Sequence, residues 1–224
     1  MKFHQLFTLF IVLVFLIFPP IFVTQTSVND VQGYTQNFNR FSLFTIVISS
    51  LWTIFLYFFT EKREEKLNRS SLRISLLSFI LILYISWIFQ KASFFLGLNQ
   101  ENQKIFMPTQ DKILNSIQIV ILCFYEEVLY RMYLYFSLNK FLNFISEKFI
   151  KKNFNAKIIE ITSIFLVAIL FALAHLYSGI INVLFAFIAS LVFSLIYRNT
   201  KNIIFSIIPH VLFNILIFLT LTKI

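Results

Sequence analysis

Seven stretches of mainly apolar residues, at 3–23, 41–60, 72–90, 113–138, 158–177, 180–197 and 203–221, follow one another along a chain of 224 residues. Each is close to the twenty or so residues that a helix needs to cross the roughly 30 Å hydrocarbon core of a bilayer. No water reaches that core, and a helix satisfies its backbone polar groups internally. Composition agrees: 58% of the residues are hydrophobic, 13% are charged and the mean hydropathy is +0.81, outside the range of soluble domains. The expected fold is all-α, a multispan transmembrane helix bundle of about seven spans, forming a single integrated membrane domain over residues 1–224.

The 31 phenylalanines and only 3 glycines, with abundant Ile, Asn and Lys, carry the bias of an AT-rich genome, so aromatic content by itself says little. The net charge of +9 raises the possibility of a nucleic-acid partner. The basic residues, however, fall in the connections between apolar runs, where orienting the chain in a membrane accounts for them. Lys2 and the connections 61–73, 139–157 and 198–201 hold 13 of the 19 lysines and arginines; Arg40, Lys91, Lys104, Lys112 and Lys223 lie on the other side, and Arg131 lies within a span. By the positive-inside rule the amino terminus is cytoplasmic and, with seven spans, the carboxyl terminus is outside. The first segment ends in Pro19-Pro20 without a small-residue cleavage site, and is read as a retained helix rather than a signal peptide. In 139–157 a stripe of Phe141, Leu142, Phe144, Ile145, Phe149 and Ile150 opposes lysines, so an interfacial amphipathic helix is expected between spans four and five. A single cysteine, Cys123, excludes an internal disulfide and a cysteine-rich metal site, and is read as a buried thiol.

The fourth span carries Glu126, Glu127 and Arg131 amid apolar residues, and the fifth and seventh carry His175 and His210. Ionisable groups at mid-membrane cost about 3 kcal/mol each on insertion scales, so they face a partner or a wet cavity. Residues four apart share a helix face, which pairs Glu127 with Arg131, acid first. Glu126, five residues from Arg131, is the carboxylate left to act as a general base on water. Phe171 shares a face with His175, and His210 with Asn214. Imidazole and the Asn214 amide can donate to a developing oxyanion. Alternatively Glu126, His175 and His210 form a ligand set for zinc with a water in the open position, the second glutamate moving protons. Spacing does not choose between the two. His4, beside Lys2 at the membrane edge, is set aside as a bystander.

Glu126-Glu127-Val-Leu-Tyr-Arg131 matches EExxxR, Phe171-Ala-Leu-Ala-His175 matches FxxxH and His210-Val-Leu-Phe-Asn214 matches HxxxN. In order and approximate spacing these motifs resemble the CPBP family, also called Abi, of CAAX prenyl protease type II-like and bacteriocin-processing intramembrane proteases. The resemblance covers residues 113–224 as a catalytic core of spans four to seven; residues 1–112, with three spans and their loops, hold no motif. It implies hydrolysis of a peptide bond within the membrane. By position, Glu126 would activate water, Glu127 and Arg131 would orient and support the site, His175 would assist Glu126, and His210 with Asn214 would hold the oxyanion. Family members are described both as metalloproteases and as glutamate enzymes without metal, which leaves a divalent metal open. Ala189, Ser190 and Ser194 stand where many relatives have glycines, and Met132 where glycine often follows the motif arginine.

The resulting expectation is a multi-pass endopeptidase of a bacterial plasma membrane, with lipid and a membrane peptide or protein as partners and no nucleic acid. Its role would be bacteriocin maturation or self-immunity. A non-proteolytic immunity or binding protein that retains the pocket is the main alternative. A proton-coupled transporter, with Glu126 and Glu127 as relay, is disfavoured by the absence of repeats and paired broken helices. One geometric difficulty stands out. His175 lies only four residues before Gly179, so the turn between the fifth and sixth spans must dip into the membrane to reach Glu126.

Overall fold

A computed structural model describes residues 3–12, 47–58, 69–97, 105–106, 108–150, 155–176 and 179–223. Among these residues seven helices follow in order: α1 (Phe3–Val12), α2 (Val47–Phe58), α3 (Arg69–Phe95), α4 (Thr109–Lys148), α5 (Ala156–Leu173), α6 (Ile180–Thr200) and α7 (Ile204–Leu221). Four of them, α3 to α6, are long and apolar enough to cross a bilayer; α2 and the apolar stretch of α7 are shorter. The fold is therefore the multispan helical bundle expected. The rest of the first two expected spans, and the connection 61–68, lie outside the described residues, as does the side chain of His4.

The outward faces are apolar, as lipid contact requires. On α4, Ile113, Ile117, Val120 and Phe124 recur at helical spacing and are exposed, while Asn115, Cys123 and Glu127 point inward and are buried. A helix this polar on its inner face has its order inverted relative to a soluble protein, because the solvent outside is hydrocarbon.

Two features of α4 differ from the sequence reading. The helix does not stop at Leu138. It runs unbroken for 40 residues, about 60 Å at 1.5 Å per residue. The amphipathic stripe is thus the continuation of the fourth span, not a separate interfacial helix. No glycine or proline interrupts 138–150, and Asn143 Nδ2 donates to the Asn139 carbonyl at 2.9 Å instead of capping an end. The second feature is a π-helical segment, Val128–Leu134, directly after the two glutamates. A wider turn of this kind re-aims the side chains beside it and recurs at functional sites.

The best-packed core surrounds that segment. Val128, Leu129 and Leu134 meet Ile164, Val167 and Phe171 of α5 and Ala186 and Tyr197 of α6, with Leu9 and Val12 of α1 and Leu56 of α2 in the same cluster. A second cluster joins Ile82 of α3 to Ala189, Phe193 and Ile196 of α6 and to Phe205 and Phe213 of α7. Small residues on α6 (Ala186, Ala189, Ser190 and Ser194, all buried) let neighbouring helices approach without glycine. Helix ends follow local chemistry: the Asn155 side chain accepts from Lys157 N at 2.9 Å to start α5. Lys201, in the left-handed conformation at φ 57°, turns the chain sharply from α6 into α7. A two-residue parallel pairing of Ile105–Phe106 with Thr222–Lys223 sets the beginning of α4 beside the end of α7.

At the opposite end, where the basic connections lie, Glu160 of α5 ties three helices. It accepts from Tyr135 Oη of α4 at 2.9 Å and pairs with Arg198 Nη2 of α6 at 3.0 Å. Both charged side chains are partly open to solvent, which screens the pair. Glu160→Gln is expected to lower stability by about 1 kcal/mol or less, read as a small fall in thermal unfolding temperature in detergent. A loss several times larger would mean that this network, and not the apolar core, holds the bundle closed.

Candidate active site

Glu126 and Glu127 end the first α-helical stretch of α4, immediately before the π-helical segment. Adjacent helical residues diverge by about 100°, and the two carboxylates consequently meet different surroundings. Glu127 is wholly buried, whereas the Glu126 side chain is 29% exposed and lines a cavity.

Glu127 is surrounded by donors. Its Oε1 lies 2.9 Å from His210 Nδ1 and its Oε2 lies 3.4 Å from Arg131 Nε, the expected pair four residues on. Arg131 is itself buried, and among the described residues its guanidinium makes no hydrogen bond. Aromatic faces hold it instead: its Cζ stands 4.9 Å from the Phe171 ring centroid, 5.5 Å from Phe193 and 5.9 Å from Tyr130. Ring quadrupoles attract a desolvated cation with about 2 kcal/mol each at best.

His210 joins the two glutamates. Its Nδ1 faces Glu127, and its Nε2 lies 3.5 Å from Glu126 Oε2. A carboxylate only accepts, so the 2.9 Å contact puts a proton on Nδ1 and turns Nε2 toward the cavity. The ring is stacked on Phe193 at a centroid distance of 4.8 Å and 23° between planes, with Phe171 edge-on at 6.1 Å. Pro209, inside α7 one residue earlier, cannot donate to the Phe205 carbonyl, which loosens the helix where the imidazole must be aimed. One turn later Asn214 Nδ2 donates to Cys123 Sγ at 3.2 Å.

His175 does not share a helix face with Phe171 as the sequence reading had it. The helix ends at Leu173, and His175 lies in the turn that follows. Its Nδ1–H donates to the Phe171 carbonyl at 2.8 Å, folding the imidazole back over the Phe171 ring at a centroid distance of 4.6 Å. This is how a residue at the end of its helix reaches the others: α5 stops short and its last residues bend inward. Gly179, at φ 89°, adopts a backbone conformation that side chains disfavour and starts α6.

Four of the six expected site residues, Glu126, His175, His210 and Asn214, line one cavity of about 770 Å³, a volume typical of small-ligand sites. Glu127 and Arg131 stand behind it. The lining also contains residues that sequence reasoning passed over. Cys123 is one, set aside as an ordinary buried thiol although it shares a helix face with Glu127. Ser86, Phe89 and Gln90 of α3 are others, in the half of the chain without a motif. The available signal was the spacing of Ser71, Ser75 and Ser86, buried on one face of an apolar helix.

The zinc alternative fares differently. Among the described residues no group of three or more His, Cys, Asp or Glu is placed to hold a metal ion. Glu126, His175 and His210 would have to turn donor atoms to one point. His210 and His175 each place Nδ1 on an oxygen, of Glu127 and of the Phe171 carbonyl, which leaves Nε2 as the ring nitrogen either could offer. As placed in this structure the three do not form such a group.

Comparison with known proteins gives one result. Residues 112–216 match the family model described as type II CAAX prenyl endopeptidase Rce1-like. No curated protein and no solved structure matches the chain.

Proposed function

We propose that this chain, whose residues 112–216 match the type II CAAX prenyl endopeptidase Rce1-like family model and whose motifs resemble the CPBP intramembrane proteases, cleaves a peptide bond with a water activated by Glu126. The observation that carries the reading is the division of labour between adjacent carboxylates. Glu126 opens on the cavity, while Glu127 is buried and spent on orienting His210 and neutralising Arg131.

In this reading Glu126 takes a proton from water, and the hydroxide attacks the peptide carbonyl. Charge then develops on the carbonyl oxygen, where the Asn214 amide can donate, joined by His210 Nε2 when the imidazole carries a proton on both nitrogens. Glu126 returns the proton to the departing amine, since a base in one direction serves as the acid in the other. Fixing His210 through Glu127 means that little reorganisation is needed as charge appears, which is the main source of such stabilisation. His175, folded over Phe171, lines the same cavity as Glu126.

Incubating the reconstituted protein and its Glu126→Gln variant with peptides tests the proposal. Cleavage by the native chain and none by the variant supports hydrolysis. Equal peptide binding without cleavage by either would instead support a binding or immunity protein. Asn214→Ala is expected to lower kcat by about 10²-fold with little change in KM, as for loss of one oxyanion donor. A rise in KM alone would make Asn214 a substrate-binding residue. For physiology we propose bacteriocin maturation or self-immunity, the role that the resemblance to bacterial CPBP proteins implies, with the AT-rich composition favouring a bacterial host. A neighbouring gene for a small leader-bearing peptide with an exporter is the expected genomic setting.

A further inference from the structure

Two rungs join α4 to α7 on the inner face of the bundle. Glu127 Oε1 faces His210 Nδ1 at 2.9 Å, and Cys123 Sγ accepts from Asn214 Nδ2 at 3.2 Å. Four residues back along α4, from Glu127 to Cys123, are matched by four residues forward along α7, from His210 to Asn214. Each step is about one helical turn, so both rungs lie on one seam between antiparallel helices. In each, a donor on α7 is met by an acceptor on α4. By the same step the next facing positions are Ile119 and Phe218, which are apolar and end the polar part of the seam.

The second rung decides what Asn214 shows to the cavity. Cys123 and Asn214 both line it, Cys123 buried and Asn214 half-buried. The amide carries two N–H groups on one side and a carbonyl oxygen on the other. Turned by half a rotation about its last bond it fills the same space, because that torsion is broad and roughly two-fold. It would then present an oxygen where negative charge has to be held. With Nδ2 on the sulfur, one N–H is engaged, and the second stays on the same side of the amide.

We propose that Cys123 is a positioning residue: its sulfur holds the Asn214 amide with the nitrogen side toward the reacting carbonyl, as Glu127 holds His210. The proposal rests on the proteolytic reading for the use of that amide, and on the contact itself for its orientation. Orientation fixed in advance matters because a donor already aimed where charge appears needs no reorganisation during the reaction. The chain's single cysteine thereby has a task in the site.

Cys123→Ala removes the acceptor and is expected to lower kcat about fivefold, the weight of one neutral hydrogen bond, with KM unchanged. Cys123→Ser restores an acceptor and should recover most of the rate. In an Asn214→Ala background Cys123→Ala is expected to change kcat by less than about twofold, since the group it positions is gone. Losses that multiply, or a serine variant as slow as the alanine one, overturn the positioning role. A readout without turnover separates this from the hydrolytic reading. As the sole cysteine, Cys123 supplies the only S–H stretching band in the infrared spectrum of the protein. Asn214→Leu, which keeps a similar volume and removes the donor, is expected to shift that band. An unchanged band overturns the contact whether or not the chain cleaves peptides, and a shifted band supports it independently of the Glu126→Gln cleavage test.

Discussion

Glutamine at position 126 is expected to reduce peptide hydrolysis by about 10³-fold or more while leaving the protein as stable as the native chain. A positioned general base contributes about 10² to 10⁴ in rate. In the proposed mechanism the same carboxylate both takes the proton and returns it, which argues for the upper part of that range. The amide is the same size, and the site around it changes little: Glu126 is partly exposed, and among the described residues its close ionisable partner is His210 at 3.5 Å. Glutamine can keep that contact as a hydrogen bond but cannot accept a proton from water. Single-turnover cleavage by reconstituted protein, with thermal unfolding measured alongside, gives both numbers. Activity within tenfold of native would remove Glu126 from the chemistry. A large fall in unfolding temperature would mean that the carboxylate is structural.

Arg131→Met should do the reverse, lowering stability by about 3–5 kcal/mol, the cost of leaving one member of a buried ion pair uncompensated. Glu127 is 0% exposed and Arg131 1%, so no solvent is at hand to replace the lost charge. Methionine fills much of the volume between Phe171 and Phe193 but forfeits the attraction of their faces. The double variant Glu127→Gln/Arg131→Met removes both charges and is expected to recover most of the lost stability. Its activity should stay low, because His210 then loses the charged partner that orients it. Denaturation in detergent reads the first effect. If Arg131→Met alone were as stable as the native chain, the buried pair would not be the support of the site proposed here.

Much of this was legible beforehand, and the reason differs from residue to residue. Glu127 and Arg131 are four apart on one helix, so their pairing follows from helical geometry. Apolar runs near twenty residues announce spans because the bilayer leaves few other ways to bury them. The length of α4 was less legible: amphipathic residues after Leu138 fit an interfacial helix as well as a continued one, and hydropathy does not tell the two apart. His175 was placed on a helix face because the apolar run continues through it. The chain in fact leaves the helix at Leu173, and that departure brings the imidazole to the cavity.

The contact between His210 and Glu127 spans 83 positions, and that between Asn214 and Cys123 spans 91. No local period encodes separations of this kind; helix packing sets them. By itself the amino-acid order determined that the chain spans a membrane, which residues carry charge into it, and which of those share a helix face, since lipid penalises every unsatisfied polar group. Only the folded bundle decided that one imidazole bridges both glutamates and that a motifless helix walls the cavity. Those outcomes depend on how separate helices are rotated and shifted against one another, which is settled by the fit of their buried faces.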